Sequence, residues 1–160
     1  LIFTLYFCRN IRIKKMLVTK EFITDYIPQR PPIVMIDTLN YCEGDTTITS
    51  FEVKPEGLFV ANGVLQEPGI IENIAQTAAA KAGYEVKKLG AKPLVGFIGA
   101  IKDLVIYELP KVGDVLETTV KLKMEVMGVT LIEGSSVCNG AKIASCEMKI
   151  VLQQPETNNA

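Results

Sequence analysis

The chain has 160 residues, 17 Lys+Arg against 18 Asp+Glu, 48% apolar residues, four Cys and no His. A chain of that length suits one domain that buries roughly 70% of its unfolded surface without metal or disulfide staples. The lack of His excludes Ser-His-Asp and Cys-His catalysis, HExxH zinc sites and imidazole switching. Acid–base chemistry must then rest on carboxylates, Lys, Tyr or Cys.

Cys8, Cys42, Cys138 and Cys146 show no CxxC spacing and read as buried free thiols, which suits a reducing, cytoplasmic setting. No metal site and no cofactor are expected. The net charge of −1 argues against a nucleic-acid partner. It also hides an asymmetry. Residues 1–15 carry Arg9, Arg12, Lys14 and Lys15 and no acid, so the remainder holds 13 basic against 18 acidic residues. The apolar run at 1–8 is too short to span a bilayer, and its charges follow rather than precede it, unlike a secretory signal. Residues 1–15 are expected to be upstream or non-native leader, 16–153 a single domain, and 154–160 a polar tail.

Residues 19–27 predict a short helix, with Phe22, Ile23, Tyr26 and Ile27 at helical spacing, stopped by Pro28. PQRPP at 28–32 is a stiff corner. Residues 33–42 and 46–53 predict two strands joined by a turn at Glu43-Gly44-Asp45. Residues 55–67 have no clean period and read as a loop. A long helix is expected over 68–89, with Pro68 in its first turn, an apolar stripe of Ile71, Ile74, Ala75, Ala78 and Ala82, and Gly90 as cap. The remainder is β: a strand over 94–107, a turn at 110–114, and a strand in which Val120, Leu122, Met124 and Val126 alternate with polar residues. A turn at Met127-Gly128 leads into 129–138, and Asn139-Gly140 is a hairpin signal before the last strand. One apolar helix must be covered by this sheet, which predicts an α+β fold with an antiparallel sheet wrapped around it.

Four strings in this order carry a family resemblance: YIPQRPPIVMIDTL (26–39), IIENIAQTAAA (70–80), FIGAIKDLVIYELPKVGDVLETTV (97–120) and GVTLIEGSSVCNGAKIASCEMKIVL (128–152). They resemble the 3-hydroxyacyl-acyl-carrier-protein dehydratases of the hotdog superfamily. ANGVL (61–65) most resembles a divergent dehydratase-like subgroup from aryl-polyene-type lipid clusters. The resemblance implies a hotdog fold and a 3-hydroxyacyl thioester substrate on carrier-protein phosphopantetheine or CoA. It also implies a site at the interface of a homodimer, or of a heterodimer with an active dehydratase. A loop His removes the C2 proton in that family, a helix carboxylate protonates the departing hydroxyl, and a backbone N–H polarises the thioester carbonyl.

By this resemblance Glu72 takes the helix-carboxylate position, with Gln76 one turn on as its hydrogen-bond partner. The loop His is missing. Its segment, 58–67, offers Asn62 and Gln66, whose amides are not bases, and Glu67 as a second carboxylate. Glu67, Gly69 and Ile70 are the candidates for the N–H donor. Gln29 stands where the family's opening motif has His, a position read as structural. Lys87, Lys88 and Lys92 could meet an acidic carrier protein, or simply complement the helix dipole as a solvated turn.

Loss of a general base typically slows such a reaction by about 10²–10⁴-fold. Three readings therefore stay open. The chain is a dehydratase-like protein of fatty-acid or polyene synthesis, weakly active or a silent partner subunit. Alternatively it is an acyl-CoA or acyl-carrier-protein thioesterase using Glu72, or a non-catalytic acyl-chain or partner-binding module.

Overall fold

The structure, a computed structural model, describes residues 16–91 and 95–153. The leader, the tail, Cys8 and Lys92 lie outside the described residues. The core is a six-stranded antiparallel sheet in the order β1-β2-β6-β7-β8-β5, comprising β1 Thr38–Glu43, β2 Thr46–Glu52, β6 Val115–Val126, β7 Val129–Cys138, β8 Ala141–Leu152 and β5 Gly96–Ile106. The helix α1, Glu67–Lys88, packs on the concave face of this sheet. This is the sheet-around-helix arrangement the sequence predicts.

The short helix of 19–27 is a 3₁₀ helix at Lys20–Asp25, with Ile23 and Ile27 buried. Residues 33–37 join no strand. Instead the Ile33 carbonyl and both backbone groups of Met35 bond to side chains of α1, and β1 starts five residues later than the apolar run suggests. Within 55–67, read as a loop, stands a small hairpin: β3 Val60–Ala61 and β4 Val64–Leu65. Its turn residues Asn62 and Gly63 both have positive φ, the backbone that a two-residue hairpin demands. The same pairing of Asn and Gly at 139–140 links β7 and β8 as expected.

The helix begins one residue before its predicted start, with Gln66 as N-cap and Pro68 in the first turn. At its other end the Gly90 N–H bonds to Lys87 O at 3.0 Å and the Ala91 N–H to Val86 O at 3.2 Å. That pair of bonds closes the orphan carbonyls of the last turn, as the Gly90 cap predicts. Lys87 pairs with Asp25 at 3.0 Å and lies 4.2 Å from the Tyr26 ring centroid, and Lys88 lies over Tyr84 at 4.3 Å.

Two glycines set how closely α1 approaches its neighbours. A Cβ on Gly83 would stand 1.7 Å from Tyr26 O, and one on Gly134 of β7 would stand 2.3 Å from the Ile74 side chain. Around these contacts Ile70, Ile74, Leu116, Val120, Ile132, Ile143 and Met148 form the main core. Cys138 and Cys146 are buried and Cys42 half-buried, all as free thiols. Burial pushes the Cys146 thiol up to about 11.

Helix cover does not reach the whole concave face. Along β6, Leu116, Thr118 and Val120 are buried and Leu122 is half-buried; the register then shifts between Leu122 and Met124, so the predicted alternation ends there and Glu125, not Met124 or Val126, lines the cavity beyond it. The edge strand β5 exposes Phe97, Leu104 and Val105. Because Gly83 meets backbone, which cannot swing aside, Gly83→Ala should destabilise the fold by about 1–3 kcal/mol. Urea unfolding measures this. An unfolding free energy within about 0.5 kcal/mol of the parent, the range of ordinary surface changes, would contradict the packing described.

Candidate active site

The predicted apolar stripe of α1 is not its most buried face. Ile74 is fully buried, but Ile71, Ala75, Ala78 and Ala82 are only partly so. The deeply buried positions include Asn73, Gln76 and Thr77. These polar groups are all satisfied. Asn73 Nδ2 donates to Met35 O at 2.6 Å, and its Oδ1 accepts from the Thr118 hydroxyl at 2.5 Å. With its hydrogen so used, Thr118 must accept from Ser136 at 2.8 Å. Thr77 donates to Asn73 O at 2.9 Å and so accepts from Thr49 at 2.7 Å.

Gln76 completes the set. Its Oε1 accepts from the Met35 N–H at 2.7 Å, and its Nε2 donates to Ile33 O and to Glu72 Oε1, both at 2.7 Å. One fully buried amide therefore fastens α1 to residues 33–35 and aims the Glu72 carboxylate. Nothing in the sequence period marks Asn73 and Thr77. The available signal is that they, like Thr118 between Leu116 and Val120, are polar residues at positions that face the core.

Glu72 opens onto a cavity of about 440 Å³ between α1 and the uncovered half of the sheet. Ala75, Ala79 and Ala82 line its helix side, and Leu122, Ile132 and Ile150 its sheet side. Gln29, Lys81 and Glu85 add polar groups. Lys81 is almost fully buried. It donates to Gly44 O at 2.8 Å and pairs with Glu85, so it ties α1 to the β1–β2 turn. Burial holds the Glu72 carboxyl above its usual range, and the Gln76 hydrogen bond offsets part of that rise.

The structure places the other candidates as follows. Gly69 and Ile70 are buried at the start of α1, and their N–H groups turn back onto Gln66 O at 2.9 and 3.4 Å. Pro68 has no N–H, which leaves the Glu67 amide as the first-turn donor not drawn into that turn. The Glu67 side chain is exposed. The Gln66 amide donates to Ala61 O and Val64 O, both at 3.2 Å, bracing the β3–β4 hairpin. Asn62 sits exposed at its tip. Of the seven candidates, only Glu72 and Gln76 come together through their side chains, and only Glu72 lines the cavity.

An antiparallel sheet wrapped around one long helix defines a hotdog protein. The chain belongs to the ApeP-like dehydratase family, whose family model, described as ApeP dehydratase, matches residues 21–160. Among solved structures, the ApeI:P dehydratase heterocomplex of Xenorhabdus doucetiae matches with a TM-score of 0.77 at 17% identity, over 82% of this chain and 91% of that one. A hypothetical thioesterase with coenzyme A from Streptococcus pneumoniae matches with a TM-score of 0.57 at 11% identity, over 74% and 87%. The sigma28-regulated virulence protein Cj0977 of Campylobacter jejuni matches with a TM-score of 0.62 at 13% identity, over 85% and 90%. These identities establish a shared fold. No sequence match is found among curated proteins.

The raised Glu72 carboxyl has a stability consequence. The folded chain holds this proton more tightly than the unfolded chain, so the group weakens the fold as pH rises from the unfolded value through the raised folded one. The penalty is complete above that window and absent below it. Glu72→Gln should therefore raise the thermal midpoint at about pH 7.5 and leave it unchanged at about pH 3.5, where the carboxyl is protonated in both states. Equal shifts at both pH values in scanning calorimetry would contradict this.

Proposed function

We propose that this protein binds 3-hydroxyacyl thioesters, carried on the phosphopantetheine of an acyl carrier protein or CoA, and serves as one subunit of a dehydratase. The observation that carries this reading is Glu72. It is a carboxyl held above its usual range by burial, oriented by Gln76, at the wall of an apolar groove. A carboxyl that burial shifts upward holds its proton to higher pH than usual, which suits donation to a departing hydroxyl. The same rise disfavours a thioesterase, which needs the carboxylate ionised as base or nucleophile. Apolar walls around a chain-sized cavity suit an acyl tail.

The elimination also needs a base for the C2 proton, and this chain has no His to supply one. We assign that role to a second, catalytically complete dehydratase subunit. The heterocomplex of dehydratases among the matching structures supports such a pairing. So does the edge strand β5, whose apolar Phe97 is 58% exposed. An unpaired edge of this kind is stabilised by a partner's strand. A reducing, cytoplasmic setting fits the free thiols.

Dehydration of 3-hydroxyacyl carrier protein should be slow with this protein alone and faster once the partner dehydratase is added. Glu72→Gln should lower the rate of the mixed complex by about 10²-fold or more, the usual range for a general acid. The rate should also fall as pH rises through the raised Glu72 value, because the acid must be protonated. Full activity from Glu72→Gln in the complex would remove the proposed role. Release of free thiol without dehydration would favour the thioesterase instead.

A further inference from the structure

Among the described residues, three two-residue hairpin turns carry positive φ at both positions. Two of them, Asn62-Gly63 and Asn139-Gly140, use the residue pair that this backbone favours. The third, between β6 and β7, places Met127 at φ +50° ahead of Gly128. Methionine gains nothing from that backbone, in which Asn is several-fold enriched. Met127 is also 94% exposed. This turn therefore forgoes both the favoured residue and a polar surface.

Met127 does not stand alone. Glu125, Thr130, Ile150 and Leu152 line the cavity, and successive strand residues point to opposite faces. Their neighbours Met124, Val126, Val129, Leu131 and Val151 therefore stand on the outer face of the sheet. Pairing brings these five together: Met124 with Leu131, Val126 with Val129, and Val129 with Val151. Met124, Val126, Val129 and Val151 are between 39% and 57% exposed. With Met127 they leave several hundred Å² of apolar side chain in solvent. The largest patch on a monomer is about 300–600 Å² and is often functional.

Charge narrows what can cover this face. Lys123 pairs with Glu133 at 3.2 Å. In the next outer row, Lys121, Glu133, Glu147 and Lys102 stand side by side across four strands, two cations and two anions. Lys149, opposite Leu131, adds one cation at the rim, far short of the about four to eight that hold an anionic bilayer. An apolar face bordered by nearly balanced charge is complementary to itself. With its rim the patch approaches the roughly 800 Å² per partner of a standard interface, about 65% apolar in homodimers. We infer that this face docks against the same face of a second copy of the chain. A two-fold axis crossing the strands at the Val126–Val129–Val151 row lays row on row and leaves the charged row outside the overlap. The contact lies on β6, β7 and β8, so it stays open whichever subunit pairs with the β5 edge.

Sedimentation velocity of the full chain over a hundredfold range of concentration tests this. At the highest concentration the parent should reach at least twice the mass of Val129→Glu, which sets a charge at the centre of the row. Equal masses for the two would overturn the inference. Met127→Asn gives the turn its favoured residue. It should melt no lower than the parent, while association between copies weakens by about ten-fold or more. Where Val129→Glu fails to fold, this variant decides: association as tight as the parent's would overturn the inference. Flotation with vesicles of phosphatidylcholine and phosphatidylglycerol tests the other occupant. A parent that floats with the vesicles, with Met127→Asn left behind, would give the face to a membrane and overturn docking between copies.

Discussion

The Gln76 side chain is the contact on which most of this structure depends. Its carbonyl oxygen and amide group bond to the backbone on both sides of Val34, and the same amide holds Glu72. Buried polar groups are costly unless paired, so such an amide tolerates few arrangements of its neighbours. It fixes the height and rotation of α1 relative to residues 33–35. Asn73 does the same toward β6 through Thr118, and Thr77 toward β2 through Thr49. A wholly apolar interface would permit sliding; this one specifies a register.

That register has a functional consequence. With its polar face turned into the sheet, α1 presents its small apolar residues sideways, toward the uncovered half of the concave surface. Ala75, Ala79 and Ala82 then become one wall of a groove rather than part of the core. Glu72, one turn before Gln76, is carried to the rim of that groove. The carboxyl is desolvated enough to keep its proton more firmly than usual, yet it faces open space. Tight packing at Gly83 and Gly134 holds the helix against its neighbours.

The hairpin turns and helix ends were legible because they are local. Gly90 at the helix end and Asn139-Gly140 between strands need particular backbone angles, and few other residues supply them. The alternation in β6 was legible only as far as Leu122, because the register shift between Leu122 and Met124 moves Met124 and Val126 off that face. Asn62-Gly63 carries an identical local signal, but its strands are two residues long, too short to show a period. The first five residues of the strand assigned to 33–42 lie outside β1 for a non-local reason: the Gln76 side chain, 43 and 41 residues away in sequence, takes backbone hydrogen bonds of Ile33 and Met35. The apolar stripe of α1 also misleads, since hydrophobicity marks both a core face and a ligand-facing wall.

The amino-acid sequence by itself determined the sheet-and-helix fold, its family and the absence of histidine. Each of these follows from composition, short-range spacing or ordered motifs. It also pointed to Glu72, and to Gln76 one turn away, because helical spacing alone puts those two side chains together. Only the tertiary structure decided that Asn73, Thr77, Thr118 and Ser136 form one connected buried network, that the alanine row lines a groove, and that Gln29 stands in the same cavity as Glu72. These relations depend on how far α1 is rotated on the sheet and where the corner at 28–32 is anchored. Both are set by hydrogen bonds between residues distant in sequence, which no local pattern encodes.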